Sequence, residues 1–314
     1  MLAAAILWWM YRGIRRDDVQ QALESEMSWT WMLFSFPFGI MAQVFRALRW
    51  KQVLTPLGEK PRLHTCINAI FISYASSLVV PRVGEMLRCG ILRRWEGTNF
   101  SKGIGTVVTE RVIDSVLVML LALITAACQI PLFMHFFSET GVSLQGFLGT
   151  FTTAGWLVTL VCGILILCTV ALLVCRLNFF SRTRAVLSDL KDGLFSVRHV
   201  QNPVLFLIYS LGIWASYYLH FYLTFYCFQY TAQLGPMAAL VAFVVGCFAV
   251  LVPTPNGAGP WHFAVKTVLV LYGVSQIDGA LFVLVVHSIQ TLLVVALGLY
   301  GTAALSLTKK KARQ

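Results

Sequence analysis

The sequence predicts an all-α polytopic membrane protein arranged as an inverted structural repeat, with two re-entrant helical hairpins broken at proline and glycine. Composition, an internal echo and the pattern of charge carry this. Hydrophobic residues make up 58% of the chain and charged residues 12%, against about 25% charged in soluble domains, and mean hydropathy is +0.76. Val79-Val80-Pro81 returns as Leu251-Val252-Pro253, roughly 172 residues later, and Ser101 with Gly105 returns as Ser275 with Gly279. Paired, interrupted apolar segments at corresponding positions of two halves point to a transporter-type site near the bilayer midplane. Lys and Arg crowd some loops and are absent from residues 131 to 150.

In chain order, residues 1–28 comprise an apolar stretch to Tyr11, too short to span, and a polar, helical connector from Asp17 to Glu26. A spanning helix needs about 20 residues, so Met1 to Tyr11 reads as the end of a helix that begins before this sequence. Repeat one covers 29–130: a span from Trp29 to Leu48 ending in Arg46, Arg49 and Lys51, a hairpin from Leu63 to Trp95 stopped at Pro81, and a span from Gly103 to Ile130. Residues 131–203 hold an external loop, a span from Phe151 to Cys175 and a basic cytoplasmic connector. Within that connector Val186, Leu187, Leu190 and Leu194 recur at helical spacing, as in a helix lying in the headgroup plane. Repeat two covers 204–307, with a span to Tyr230, a hairpin from Pro236 to Tyr272 broken at Pro253 to Pro260, and a span from Ala280. A basic tail occupies 308–314.

Charge decides the topology. If every apolar segment crossed fully, the basic stretches 88–102 and 176–198 would lie outside and the Lys- and Arg-free loop inside, which inverts the positive-inside rule. One hairpin entering from each side restores the rule and places the C-terminus in the cytoplasm. Arg12, Arg15 and Arg16 remain an exception, offset by Asp17, Asp18, Glu24 and Glu26. The net charge of +11 then reflects topology and anionic lipid rather than nucleic acid. Eight scattered cysteines, with no Cys-x-x-Cys, read as small buried hydrophobes.

An ionised side chain within the bilayer costs about 2.5 to 3.5 kcal/mol on insertion scales unless it is paired or faces water. Arg82, Glu85 and Arg88 are spaced so that a helix puts them on one face, with Glu85 able to pair with either Arg. Glu110 and Asp114 share a face of the following span, and Arg111 is placed to pair with Asp114. These six charges sum to zero. They are the candidate substrate-binding residues, because guanidinium matches phosphate oxygens bidentately and a carboxylate partner can be exchanged for them. A purely structural staple between hairpin and span is the competing role. His262 and Lys266 are the outer candidates; Pro81, Gly84, Pro253, Pro255, Gly257 and Gly259 are the candidate breaks.

The chain resembles the flippase-like transmembrane domain of the lysylphosphatidylglycerol synthase family. The resemblance rests on Arg46-Ala47-Leu48-Arg49-Trp50, Pro81 to Arg88, Ser101 to Asp114, and Pro253 to Gly259 with Gly273. It implies a membrane domain that moves polar lipids between leaflets, attached in some members to a soluble aminoacyl-transferring domain. No such domain is present here, so lysyl transfer is not implied. Family members often carry Glu after the second break, where this chain has His262.

The expected protein is therefore a lipid flippase or scramblase of a bacterial-type cytoplasmic (inner) membrane. Its expected partners are membrane lipids, namely an anionic or zwitterionic phospholipid or a polyprenyl-phosphate lipid. No enzyme activity, cofactor, metal or nucleic acid is expected, and the sequence leaves the oligomeric state open. No Gly-x-x-x-x-Gly-Lys-Ser/Thr motif offers an ATP site. The rivals are an intramembrane lipid-modifying transferase using Glu85, Glu110 or Asp114 as acid or base, and a non-transporting scaffold.

Overall fold

The structure, a computed structural model, describes residues 6, 7, 10–12, 16–129, 181–252 and 254–308. Most of the expected first-helix end, the external loop and span at 131–175, Pro253 and the basic tail after Thr308 lie outside the described residues. The described residues are helical throughout, without a strand. Among the described residues, four stretches are long and apolar enough to cross a membrane: Trp29–Leu57, Phe100–Cys128, Pro203–Cys227 and Gln276–Leu307. They contain helices α1 (Trp29–Leu54), α4 (Phe100–Cys128), α6 (Pro203–Tyr222) and α9 (Gln276–Leu307). Between them lie α2 (Leu63–Ser77), α3 (Val83–Glu96), α5 (Ser181–Phe195), α7 (Gly235–Ala249) and α8 (Pro260–Leu271).

Three of the four long helices, α4, α6 and α9, start where the sequence supplies a cap. Asn99 accepts hydrogen bonds from the backbone N–H groups of Ser101 and Lys102, Asn202 from that of Leu205, and Ser275 from that of Asp278. Four of the other helices, α2 with α3 and α7 with α8, come as two broken pairs. α2 and α3 have 15 and 14 residues, roughly 22 and 21 Å each, so neither crosses a hydrocarbon core of about 30 Å. Their break places Arg82 at φ 65°, and α7 and α8 are separated by a break with Asn256 at φ 53°. Gly84 is required at the first break because a Cβ there would lie 1.9 Å from the Ser73 carbonyl oxygen.

The ends of the helices fix their relative directions. Lys102, in the first turn of α4, donates to the Leu57 carbonyl just after α1, and Trp95 of α3 donates to the Leu305 carbonyl at the end of α9. The open end of the α2–α3 hairpin therefore lies with the C-terminal ends of α1 and α9. Conversely, Tyr218 of α6 donates to the Pro236 carbonyl, and Tyr272 donates to Gln129 beyond α4. The open end of the α7–α8 hairpin thus lies at the opposite end of the bundle. The tips meet between them, where Arg82 Nη2 donates to the Leu251 carbonyl at 3.4 Å.

Small residues seat the long contacts. α1 and α6 interlock reciprocally: an added Cβ at Gly39 would lie 3.0 Å from the His220 ring, and one at Gly212 would lie 3.0 Å from the Phe45 ring. Gly298 and Gly301 of α9 take up Ala75, Phe71 and the Asn68 carbonyl of α2. α5 packs on α4 through Gly193 against Gly105, with Thr109 donating to the Leu194 carbonyl at 2.7 Å. The helix expected in the headgroup plane is therefore also docked on a span, although Leu190 and Leu194 stay exposed.

Candidate functional site

The buried charge converges where α1, α3 and α4 meet. Arg46 and Arg49 lie one turn apart on α1, and Glu110 and Asp114 one turn apart on α4. Arg46 Nη1 reaches Glu110 Oε1 and lies 2.7 Å from Asp114 Oδ2. Arg49 Nη2 lies 2.7 Å from Asp114 Oδ1 and 3.4 Å from Glu110 Oε1, while its Nη1 donates to Ser210 of α6 at 3.3 Å. From the hairpin, Arg88 Nη2 lies 2.9 Å from Glu110 Oε2, its guanidinium 4.8 Å over the Trp50 ring. The Trp50 indole is held in turn by Thr106 at 3.0 Å.

All five charged side chains are buried: Arg46 is 2% exposed, Arg49 1%, Arg88 2%, Glu110 6% and Asp114 5%. Three arginines against two carboxylates leave this core one positive charge in excess. A half-exposed rim adds Arg111, 3.2 Å from Asp114 and 3.4 Å from Glu85. Rim and core together keep the single positive excess. Arg46 Nε and Arg88 Nε are buried without a hydrogen-bond partner among the described residues. Beside them Tyr217 of α6 donates to Tyr74 of α2 at 2.9 Å, and the Arg46 guanidinium lies 5.9 Å from the Tyr74 ring.

Residues 1–298, and with them every residue of this cluster, match the family model described as the lysylphosphatidylglycerol synthase TM region. The chain belongs to that family. It is also 24% identical over 269 residues to a UPF0104 membrane protein of Methanothermobacter thermautotrophicus, a match covering 77% of this chain and 73% of that protein. As a member of the synthase TM family the chain is an integral membrane protein, and the family's name associates it with lipid.

Against that background the sequence expectations divide. Arg88, Glu110, Arg111 and Asp114 come together, and Arg111 pairs with Asp114 as expected. Two expectations are corrected. Arg82 precedes α3 in a left-handed conformation, exposed, so it does not share a helical face with Glu85 and Arg88. Glu85 pairs with Arg111 rather than with Arg88, whose carboxylate partner is Glu110.

Arg46 and Arg49, read from sequence as the basic end of the first span, are instead deep members of the site. The reason is length: α1 runs to Leu54, which sets both arginines one to two turns inside the helix. Their signal was present in the apolar Val53-Leu54 beyond them and in the one-turn spacing. With Arg46 and Arg49 included and Arg82 outside the cluster, the expected neutral sum gives way to the single positive excess.

The outer candidates form no part of this cluster. His262 is buried against Tyr11, Trp261 and His287. Lys266 lies along α9, its Cγ 3.6 Å from where a Cβ on Gly279 would stand. Pro255 begins a short 3₁₀ turn, while Gly257 at φ 71° and Gly259 at φ 90° take up conformations that favour glycine. Pro81 lies in the turn before Arg82.

Proposed function

We propose that this membrane protein moves a phosphate-bearing lipid between leaflets, as a flippase or scramblase, with the headgroup held at the arginine cluster. One observation carries the reading: three fully buried arginines share only two buried carboxylates. A buried charge is tolerated when it is paired and hydrogen-bonded, and an anionic headgroup satisfies the excess. Phosphate suits the site because guanidinium groups bind its oxygens in a fork and Arg46 and Arg88 each keep a buried donor without a hydrogen-bond partner. Glu85 and Arg111 stand at the rim, where their half-exposed pair can open as a headgroup enters.

The proposed frame is an inverted repeat in a bacterial-type inner membrane. α1, the α2–α3 hairpin and α4 form one half; α6, the α7–α8 hairpin and α9 form the other, inverted. The opposite open ends of the hairpins, their meeting through Arg82 and Leu251, and the reciprocal glycine notches of α1 and α6 support it. In this frame the first hairpin opens to the cytoplasm and the second to the outside, with the C-terminus cytoplasmic. The acyl chains remain in lipid while the headgroup crosses between the breaks, and transport rather than lipid modification is the activity.

Purified protein in liposomes should accelerate transbilayer movement of an anionic or zwitterionic phospholipid or a polyprenyl-phosphate lipid. Arg88→Ala should slow it by about tenfold or more, the loss expected when roughly 1.4 kcal/mol or more of charge-assisted binding is removed. A panel including polyprenyl phosphates that shows no acceleration over empty liposomes, even under an imposed potential or pH gradient, overturns the reading in favour of a scaffold.

A further inference from the structure

A second polar constellation lies at the other break. His262, in the first turn of α8, and His287 of α9 hold their rings 4.4 Å apart, with the Trp261 ring 5.0 Å from that of His287. Both imidazoles are tied to the backbone of the break. The Gly259 N–H donates to His262 Nδ1 at 3.3 Å, and His287 Nε2 lies 3.0 Å from the Asn256 carbonyl oxygen. His287 Nε2 lies nearer the Asn256 carbonyl oxygen, at 3.0 Å, than the Asn256 amide Nδ2, at 3.3 Å, and a carbonyl only accepts, so we place hydrogen on Nε2; an N–H only donates, so His262 carries none on Nδ1. The residues so tied are the strained ones, Asn256 at φ 53° and Gly259 at φ 90°. The Asn256 amide is anchored in turn to Thr291 at 2.7 Å.

We propose that His262 and His287 form a site for a single proton, and that occupying it opens the second break. This rests on the transport reading only in making the break a gate; the proton site itself does not. In neutral His262 the free nitrogen is the one that accepts from Gly259. A proton there removes that acceptor and releases the start of α8. The open nitrogen of neutral His287 is Nδ1, so its protonation adds charge against a ring 4.4 Å away. Two like charges at that separation disfavour each other, so the pair takes one proton.

Among the described residues, the neighbouring elements offer nothing to hold an imidazolium in the closed break. α8 adds Lys266, one turn beyond His262; Cys247 is the titratable group of α7; Tyr11 presents its ring edge to His262. The carboxylate of α9 is Asp278, bonded to Ser275 and nine residues before His287, roughly 13 Å along the helix. A proton therefore binds better once the break admits water, and a ligand that binds one state better shifts the population toward it. Because the Leu251 carbonyl holds Arg82 of the first break, that shift separates the two tips. The opened, hydrated break takes the proton below histidine's ordinary value of about 6.5.

Spin labels at Val80 and Leu251, both exposed, in a background without native cysteines, read the tip separation by electron paramagnetic resonance in liposomes. The wild-type background should shift toward a longer inter-label distance between about pH 8 and pH 5. His262→Gln should hold the short distance at both values, whereas His287→Gln, which leaves His262 to take the single proton, should keep the shift. Glutamine at 262 still offers an acceptor to Gly259, so it separates loss of the proton from loss of the cap. A wild-type distance independent of pH, or an unchanged shift in His262→Gln, overturns the proposal. The labels need no lipid movement, so a failed liposome transport assay sinks the transport reading while leaving the proton site to this measurement.

Discussion

Glu110 is the carboxylate on which the cluster depends, since it lies within ion-pair distance of Arg46, Arg49, Arg88 and Arg111. Glu110→Gln should therefore destabilise the protein by about 3 to 5 kcal/mol, the usual effect of leaving buried charges without their partner. Glu85→Gln, at a half-exposed pair, should change stability by about 0 to 1 kcal/mol. Thermal unfolding in detergent distinguishes the two, and equal losses would contradict the assigned pairing. At the same scale, Arg88→Lys keeps the charge but loses the planar fork and its stacking over Trp50. Lipid movement should remain impaired in that variant at wild-type abundance. Glu110 and Asp114 were legible because an i, i+4 carboxylate pair in an apolar run has few bland explanations. Arg46 and Arg49 were not, because arginines close to Lys51 satisfy the positive-inside rule as well as they satisfy a site, and only the helix's continuation to Leu54 separates the two.

Among the elements, the two broken hairpins were the most legible, since Pro81 with Gly84 and Pro255 with Gly257 and Gly259 cannot continue a regular helix without loss. The partner of each broken arm was not legible. Nothing in the local sequence says that Gly84 must clear the Ser73 carbonyl or that Gly105 must clear Gly193, because both contacts join segments that only the fold brings together. Gly84→Val should accordingly force the α2 and α3 arms apart and lower stability by about 1 to 3 kcal/mol or more, as overpacking does. Comparing its unfolding with that of Gly90→Ala, where an added Cβ meets nothing within 4 Å, checks the prediction. Gly90→Ala should gain helix propensity and lose nothing, so a loss there as large as that at Gly84 would contradict the close approach as the cause.

For the whole molecule, the inverted frame makes a prediction from exposed, described positions. Single cysteines at Ser188 and Ser275, in a background lacking the native ones, should label from opposite faces of intact cells, Ser275 from outside. Labelling from one face removes the inverted repeat. The spans themselves were readable from hydropathy, whereas the way they cover the hairpins was not. α9 lies on α2 through Gly298 and Gly301, and α4 lies on α7, so each hairpin is covered by a span far from it in sequence.

This crossing has a consequence during synthesis. Phe71 of α2 is made 227 residues before Gly298, the notch that receives its helix. At about 5 to 20 residues per second that is a wait of roughly 10 to 45 seconds. Until the last helix emerges, the first hairpin stands in the nascent membrane with one side uncovered, its broken backbone still to be sheltered. A chain stopped before α9 should therefore leave α2 and α3 open to proteolysis although every residue of the arginine cluster has already been made.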